Sequence, residues 1–241
     1  MSTSLVWNNQ NGALTINRDN LRDLYAQSLQ NYIPSVCFQV EAHCDVHHMI
    51  NVAMSADITP GGQPNLSEAP GETVLSYNYS NQGHDGAGIN DNMGSLTVGT
   101  NYNMTVQFTN ASGAANVIIT QHLVINYDTR MREIESSGNP VDKTIVDTYT
   151  LTVDESGILS AVVNTMSTDN STAPEEGFQN FFMGSDGFIG ALQSGGDSFL
   201  STGGLNIPLS NKAIYSFPSG QTSTFSSVRF SDNQDLVASV A

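Results

Sequence analysis

His43, Asp45 and His47 stand at two-residue intervals within His43-Cys-Asp-Val-His-His48. On an extended strand, side chains two residues apart share a face at about 6.6 Å. Imidazole and carboxylate together suit zinc, iron or manganese, so the expected chemistry of this face is metal binding or acid–base work. On a regular strand His43 and His47 lie about 13 Å apart, and one ion reaches both only across a bulge. No C-x-x-C or H-E-x-x-H signature accompanies them. The competing reading is a wet sheet face bearing two histidines, with His48 a hydrogen-bonded residue of the opposite, apolar face.

A second candidate runs from His84 to Gly94, where Asp85, Asn90, Asp91 and Asn92 offer oxygens and several glycines permit a tight backbone. Calcium takes such ligands, but the acids do not follow the twelve-residue calcium loop, which leaves an exposed contact loop as the alternative. No Lys or Arg accompanies the glycines, so a phosphate cradle is not expected. Tyr77, Tyr79 and Tyr102 add aromatic surface of the kind that sugar recognition uses. A third candidate is physical: Phe178, Phe181, Phe182 and Phe188 form a Gly- and Phe-rich stretch over 177–192. It reads either as a second, short core helix or as a membrane-facing wedge. No G-x-S-x-G elbow occurs, and Asp154-Glu155 and Glu175-Glu176 are adjacent rather than facing pairs, so nucleophilic catalysis and two-carboxylate glycoside hydrolysis have no foothold.

The elements that must carry these residues are mostly strands. Leu5–Trp7 and Ala13–Ile16 flank Asn11-Gly12, a hairpin signal. Leu21, Leu24, Tyr25, Leu29 and Tyr32 fall on one helical face, with Asn17 as cap and Pro34 as terminator. From Val36 to Val52 the period becomes two, predicting one very long strand or two joined at a bulge. A Pro- and Gly-rich loop is expected over 59–71, a short strand over 73–79 and a loop over 80–94. Long strands follow at 95–110, 115–128, 143–153 and 157–166, with turns at 110–113, 133–142 and 154–157. Shorter strands close the chain at 212–217, 222–230 and 236–240. Asn103–Phe108 and Thr148–Val153 alternate apolar with hydroxyl or amide, the pattern of antiparallel strands with one wet face. Such long amphipathic strands also match the length of a spanning β-strand, which keeps pore formation open.

The balance of 23 acids to 7 bases, a formal charge of −16, removes nucleic acid from the expected partners, because no cationic footprint can be assembled. Only 12% of residues are charged, about half the usual share, and Asn, Ser, Thr and Gly fill the surface. The N-terminus lacks the charged and apolar blocks of a signal peptide, so the chain reads as cytoplasmic as written, with export by another route left open. Cys37 and Cys44 would lie about 23 Å apart on one strand, so two free thiols are expected.

These observations predict one β-rich domain over 1–241, an antiparallel sandwich or barrel of long strands with an N-terminal amphipathic helix. The leading functional expectation is a non-enzymatic binding protein, for glycans or membranes, with pore formation by oligomers as an extension. The alternatives are a barrel enclosing a small apolar ligand or metal, with chemistry at His43, Asp45 and His47, and a structural, self-assembling protein. The sequence leaves the identity of any cofactor unknown.

Overall fold

The computed structural model describes residues 8–10, 13–30, 32–47, 51–68, 71–172, 192–193, 215–216 and 222–240. Strands β1 (Asn8–Gln10) and β2 (Ala13–Ile16) pair antiparallel with Gln10 opposite Ala13, the expected hairpin. Helix α1 (Arg18–Leu29) begins where Asn17 accepts the Asp19 N–H at 2.9 Å, and Asp19 places a carboxylate at the positive end of the helix. It buries Leu21, Tyr25 and Leu29. Pro34 does not simply terminate it. That residue opens a second helix, α2 (Ile33–Val36), where a missing N–H costs nothing.

The alternation over 36–52, expected as one long strand or two joined at a bulge, belongs instead to two strands that turn back on each other. These are β3 (Phe38–His47) and β4 (Asn51–Pro60), paired antiparallel from Phe38–Pro60 to His47–Asn51. The main sheet follows as β5 (Asn65–Glu68), β6 (Thr73–Ala87), β7 (Gly94–Ala111), β8 (Ala114–Met131), β9 (Ile134–Val153) and β10 (Leu159–Asp169), in spatial order β10-β9-β8-β7-β6-β5. Two expectations are corrected here. The predicted loop over 80–94 is largely strand, since β6 continues to Ala87, and the predicted turn over 133–142 is the first half of β9. After the two-residue strands β11 (Tyr215–Ser216) and β12 (Thr222–Ser223), β13 (Phe225–Phe230) and β14 (Leu236–Val240) join the N-terminal hairpin as the sheet β1-β2-β14-β13.

The fold is therefore mainly β, antiparallel and sandwich-like, with one substantial helix among the described residues. Among the described residues no closed barrel is found: β10 and β5 end the six-stranded sheet and do not pair with each other. Alternation sorts the faces. Val117, Ile119, Leu123 and Ile125 of β8 point inward and are fully buried, while Thr120, His122, Asn126 and Asp128 belong to the open face. Inside, the Tyr25 ring meets Phe108 edge-on at 5.5 Å, and Phe108 stacks on Phe230 at 5.2 Å. Asn110 clamps the same region by donating to the Phe230 carbonyl at 2.7 Å and accepting the Phe230 N–H at 2.9 Å. One amide thus satisfies a strand's backbone where no neighbouring strand does.

The β3–β4 ribbon meets the inner face of β6 in a regular series. The Tyr79 hydroxyl donates to the Phe38 carbonyl at 2.8 Å, Asn81 accepts the Val40 N–H at 2.8 Å, and Asp85 accepts the Cys44 N–H at 2.7 Å. Between them a Cβ on Gly83 would collide with the Val40 carbonyl and the Ala42 nitrogen. Partners advance by two on both strands, 79 with 38 and 85 with 44, so side chains of β6 stand in for a backbone ladder. Cys37 and Cys44 are buried and unbridged, as expected. Among the described residues no helix is long and apolar enough to cross a membrane.

Candidate functional site

A polar recess lies on the open face of the six-stranded sheet, towards the 132–133 turn. Its rows follow from register: His84, Thr97, Asp128 and Ser137 are successive cross-strand partners, and Gln82, Gly99 and Asn126 form the next row. That second row meets an irregularity in β9. Ile125 pairs with Val141 and Tyr127 with Gly138, so Asn139 and Pro140 together oppose Asn126. Such a two-against-one bulge bends the strand and accepts proline, which has no N–H for the ladder. Asn139 also binds the chain beyond β10, its N–H donating to Thr172 Oγ1 at 3.0 Å and its carbonyl accepting the Thr172 N–H at 2.8 Å.

Gly99 makes room for one of the recess walls, Asn126. A Cβ there would collide with Asn126 Oδ1, so only glycine lets the Asn126 amide lie across the sheet. The resulting cavity of about 610 Å³ is bordered by Gln82, Thr97, Asn126, Asp128, Ser137, Asn139 and Thr172, with Tyr127 and Gly138 completing the rim. Amides and hydroxyls dominate, each able to donate and accept. Asp128 is the one carboxylate on this lining and no cation borders it. At the margin, His84 shares a hydrogen with Thr97 Oγ1 at 2.8 Å and approaches Asp91 at 3.3 Å. Arg130 lies further along the face and is engaged by the Arg132 carbonyl at 2.9 Å and Glu135 at 3.7 Å.

The residues singled out from sequence are placed elsewhere. His43 is half-exposed with its Nε2 3.3 Å from Asp57 of β4, and Asp45 is exposed. The β3–β4 ladder runs from residue 38 to residue 47 without a register shift. The bulge that a shared ion at His43 and His47 requires is therefore missing, and the His47 side chain lies outside the described residues. Among the described residues no three His, Cys, Asp or Glu side chains cluster as a metal site. Asp85 faces inward, accepting the Cys44 and Gly86 N–H groups at 2.7 and 2.9 Å. Those two bonds, chiefly the first, hold its carboxyl below the usual carboxylate range, with His43 and His84 adding to the effect. Asp91 faces outward to His84, so Asp85 and Asp91 do not converge on one cation. Asn90 and Asp91 sit in a short 3₁₀ turn at φ 53° and 58°.

Tyr77, Tyr79 and Tyr102 lie in strands β6 and β7 and face inward rather than offering a sugar-binding surface. Tyr77 is 5% exposed, Tyr79 is spent on Phe38, and Tyr102 is buried with its hydroxyl on Gln121 Oε1 at 3.0 Å. Tyr77 does border a smaller cavity of about 330 Å³ beneath α1, with Ile33, Pro34, Pro64 and Leu66. Phe178, Phe181, Phe182 and Phe188 lie outside the described residues. Gln121 and Asp147 form a further polar feature on the inner face, but both are fully buried and offer no entry to a ligand.

Protein-family models, curated proteins and solved structures give no match to this chain. The groove residues were not singled out from sequence. Asn126, Asp128 and Ser137 look like any wet-face positions, and the available signals were Gly99 inside a strand pattern and Pro140 beside it.

Proposed function

We propose that the protein is a non-enzymatic binding protein whose open-face groove takes a neutral, polyhydroxylated ligand, a short stretch of glycan. The observation that carries this reading is the lining of the Gly99–Asn126 recess: amides, hydroxyls and a single carboxylate, with no cation. Sugar hydroxyls are donors and acceptors at once, and so are Gln82, Thr97, Asn126, Ser137 and Asn139. Asp128 accepts from a pair of hydroxyls, a charge-assisted contact stronger than a neutral one. A formal charge of −16 disfavours anionic ligands, and the polarity of the walls disfavours apolar ones. The cavity falls within the range of about 300–1,000 Å³ typical of small-molecule sites.

The test is a glycan array followed by calorimetry on any hit, using the wild type, Asn126→Ala, Asp128→Asn and Gly99→Val. Asn126→Ala and Asp128→Asn are expected to weaken binding about tenfold each, the effect of losing one or two hydrogen bonds. Gly99→Val is expected to abolish it by displacing the Asn126 amide from the recess wall. An array on which the wild type binds nothing, or a hit whose affinity ignores all three changes, would sink the proposal.

A further inference from the structure

The two edges of the six-stranded sheet are built differently. At one edge, β5 is only four residues long, and its Glu68 is ion-paired to Arg22 of α1 at 2.8 Å. Short, charged edge strands resist pairing with other chains. At the other edge β10 is 11 residues long, and its only partner strand among the described residues is β9. From Val162 to Asp169 every residue is exposed, whichever face it belongs to, so neither face of this stretch is covered. Val162, Val163 and Met166 are 59%, 45% and 66% exposed. In a chain with formal charge −16, the stretch Leu159–Thr168 has no charged residue. It is a place where two copies can approach without opposing like charges.

The order of side chains is also self-complementary. Antiparallel pairing of two β10 strands about Asn164 sets Val162 opposite Met166 of the second copy, and Met166 opposite Val162. Both are open-face positions, so the two-fold axis generates two identical apolar contacts. Backbone groups of the edge complete the ladder, as in other strand-addition interfaces.

We infer that the protein is a homodimer formed by antiparallel β10–β10 pairing centred on Asn164, which joins the two six-stranded sheets into one. An axis normal to the sheet keeps both open faces on the same side, so the dimer presents two grooves to one surface and gains from avidity. The pairing itself does not depend on what the groove binds.

The test is sedimentation velocity with light scattering on the wild type, Val162→Glu/Met166→Glu and Val162→Lys/Met166→Lys. Circular dichroism verifies that each variant is folded, which the exposure of both positions leads one to expect. The wild type should be a dimer at tens-of-micromolar concentration and each variant a monomer, because each sets like charges opposite one another. An equimolar mixture of the two variants should recover a heterodimer, since every Glu then faces a Lys. A monomeric wild type, variants that still dimerise, or a mixture that stays monomeric would each overturn the inference.

Discussion

Gly83 and Gly86 sit three residues apart on β6 and face opposite sides of the sheet, and the fold predicts opposite responses to alanine. At Gly83 the new methyl meets the Val40 carbonyl and the Ala42 nitrogen, both backbone atoms of a paired strand. Neither moves alone, so the ribbon must lift. Forcing one methyl into such a contact costs about 1–3 kcal/mol. Lifting β3 also stretches the Asn81–Val40 and Asp85–Cys44 bonds, each worth about 1 kcal/mol. Against this, alanine lowers the entropy of the unfolded chain by about 0.4–1 kcal/mol. The expected net loss is about 2 kcal/mol, or ~4–8 °C in Tm for a chain of this size. At Gly86 the nearest atoms to the methyl all belong to the Asp91 carboxyl, the end of a half-exposed side chain that can swing away from His84. That exposed pair contributes less than about 1 kcal/mol, so Gly86→Ala should fall within ~0.5 kcal/mol of wild type. Urea unfolding followed by circular dichroism reads both, as a shift in midpoint at constant slope. Equal losses for the two variants, or a Gly83→Ala protein as stable as wild type, would refute the edge-on packing of β3 against β6.

Two further predictions concern titration. Asp85 and Asp169 both have folded pKa values below the ordinary carboxylate value, Asp85 through the Cys44 N–H and Asp169 through Ser171. The native state then binds fewer protons than the unfolded one between the two values, so stability rises with pH there. This contribution is complete above about pH 5 and is lost as the pH falls below about 4. Asp85→Asn keeps an acceptor for Cys44 but does not titrate, so its urea midpoint should fall less steeply in acid than that of wild type; parallel profiles would contradict the assignment. Burial pushes the Cys37 and Cys44 thiols up to about 11, leaving roughly one molecule in ten thousand as thiolate at pH 7. A thiol-reactive disulfide reagent should therefore label neither in the native protein and both in urea, and rapid native labelling would show that the thiols are accessible.

Much of the scaffold was legible because period-two alternation is a local property. Asn103–Phe108 and Thr148–Val153 carry their burial pattern in their own residue types, and both lie in long strands. The misreadings have a shared cause: residues that usually form turns here serve tertiary contacts. Gly83 suggests a loop because glycine weakens a strand interior, and Asn81 and Asp85 because their side chains compete with the backbone. In the fold they satisfy β3 instead, and β6 runs through them. Gly138 and Pro140 suggest a turn but mark a bulge. Conversely, the reversal between β3 and β4 was invisible, since Val46, His48, Ile50 and Val52 keep the alternation going with no Gly, Pro or Asn-Gly signal. The groove was illegible for another reason. Asn126 and Asp128 are ordinary wet-face residues until register places Gly99 beside one and the bulge opposite it.

The same glycine logic explains how one sheet performs two tasks. On the inner face Gly83 removes a side chain so that backbone can approach, and the vacancy is filled by β3. On the open face Gly99 removes one so that an amide can lie down, and the space above it stays open as the groove. A strand interior normally loses stability with each glycine, by roughly 0.5–1 kcal/mol relative to alanine. At Gly83 that loss is offset by two hydrogen bonds and a close contact, which is a structural return. At Gly99 the return within the chain is only the placement of Asn126, an exposed residue with little packing to give. A glycine that weakens its own strand and opens a polar recess, with no packing gained, is more economically explained by what enters the recess than by the fold. Gly99→Ala separates the two explanations: if the recess serves binding, the variant should match or exceed wild-type stability while losing ligand, whereas a structural role requires stability itself to fall.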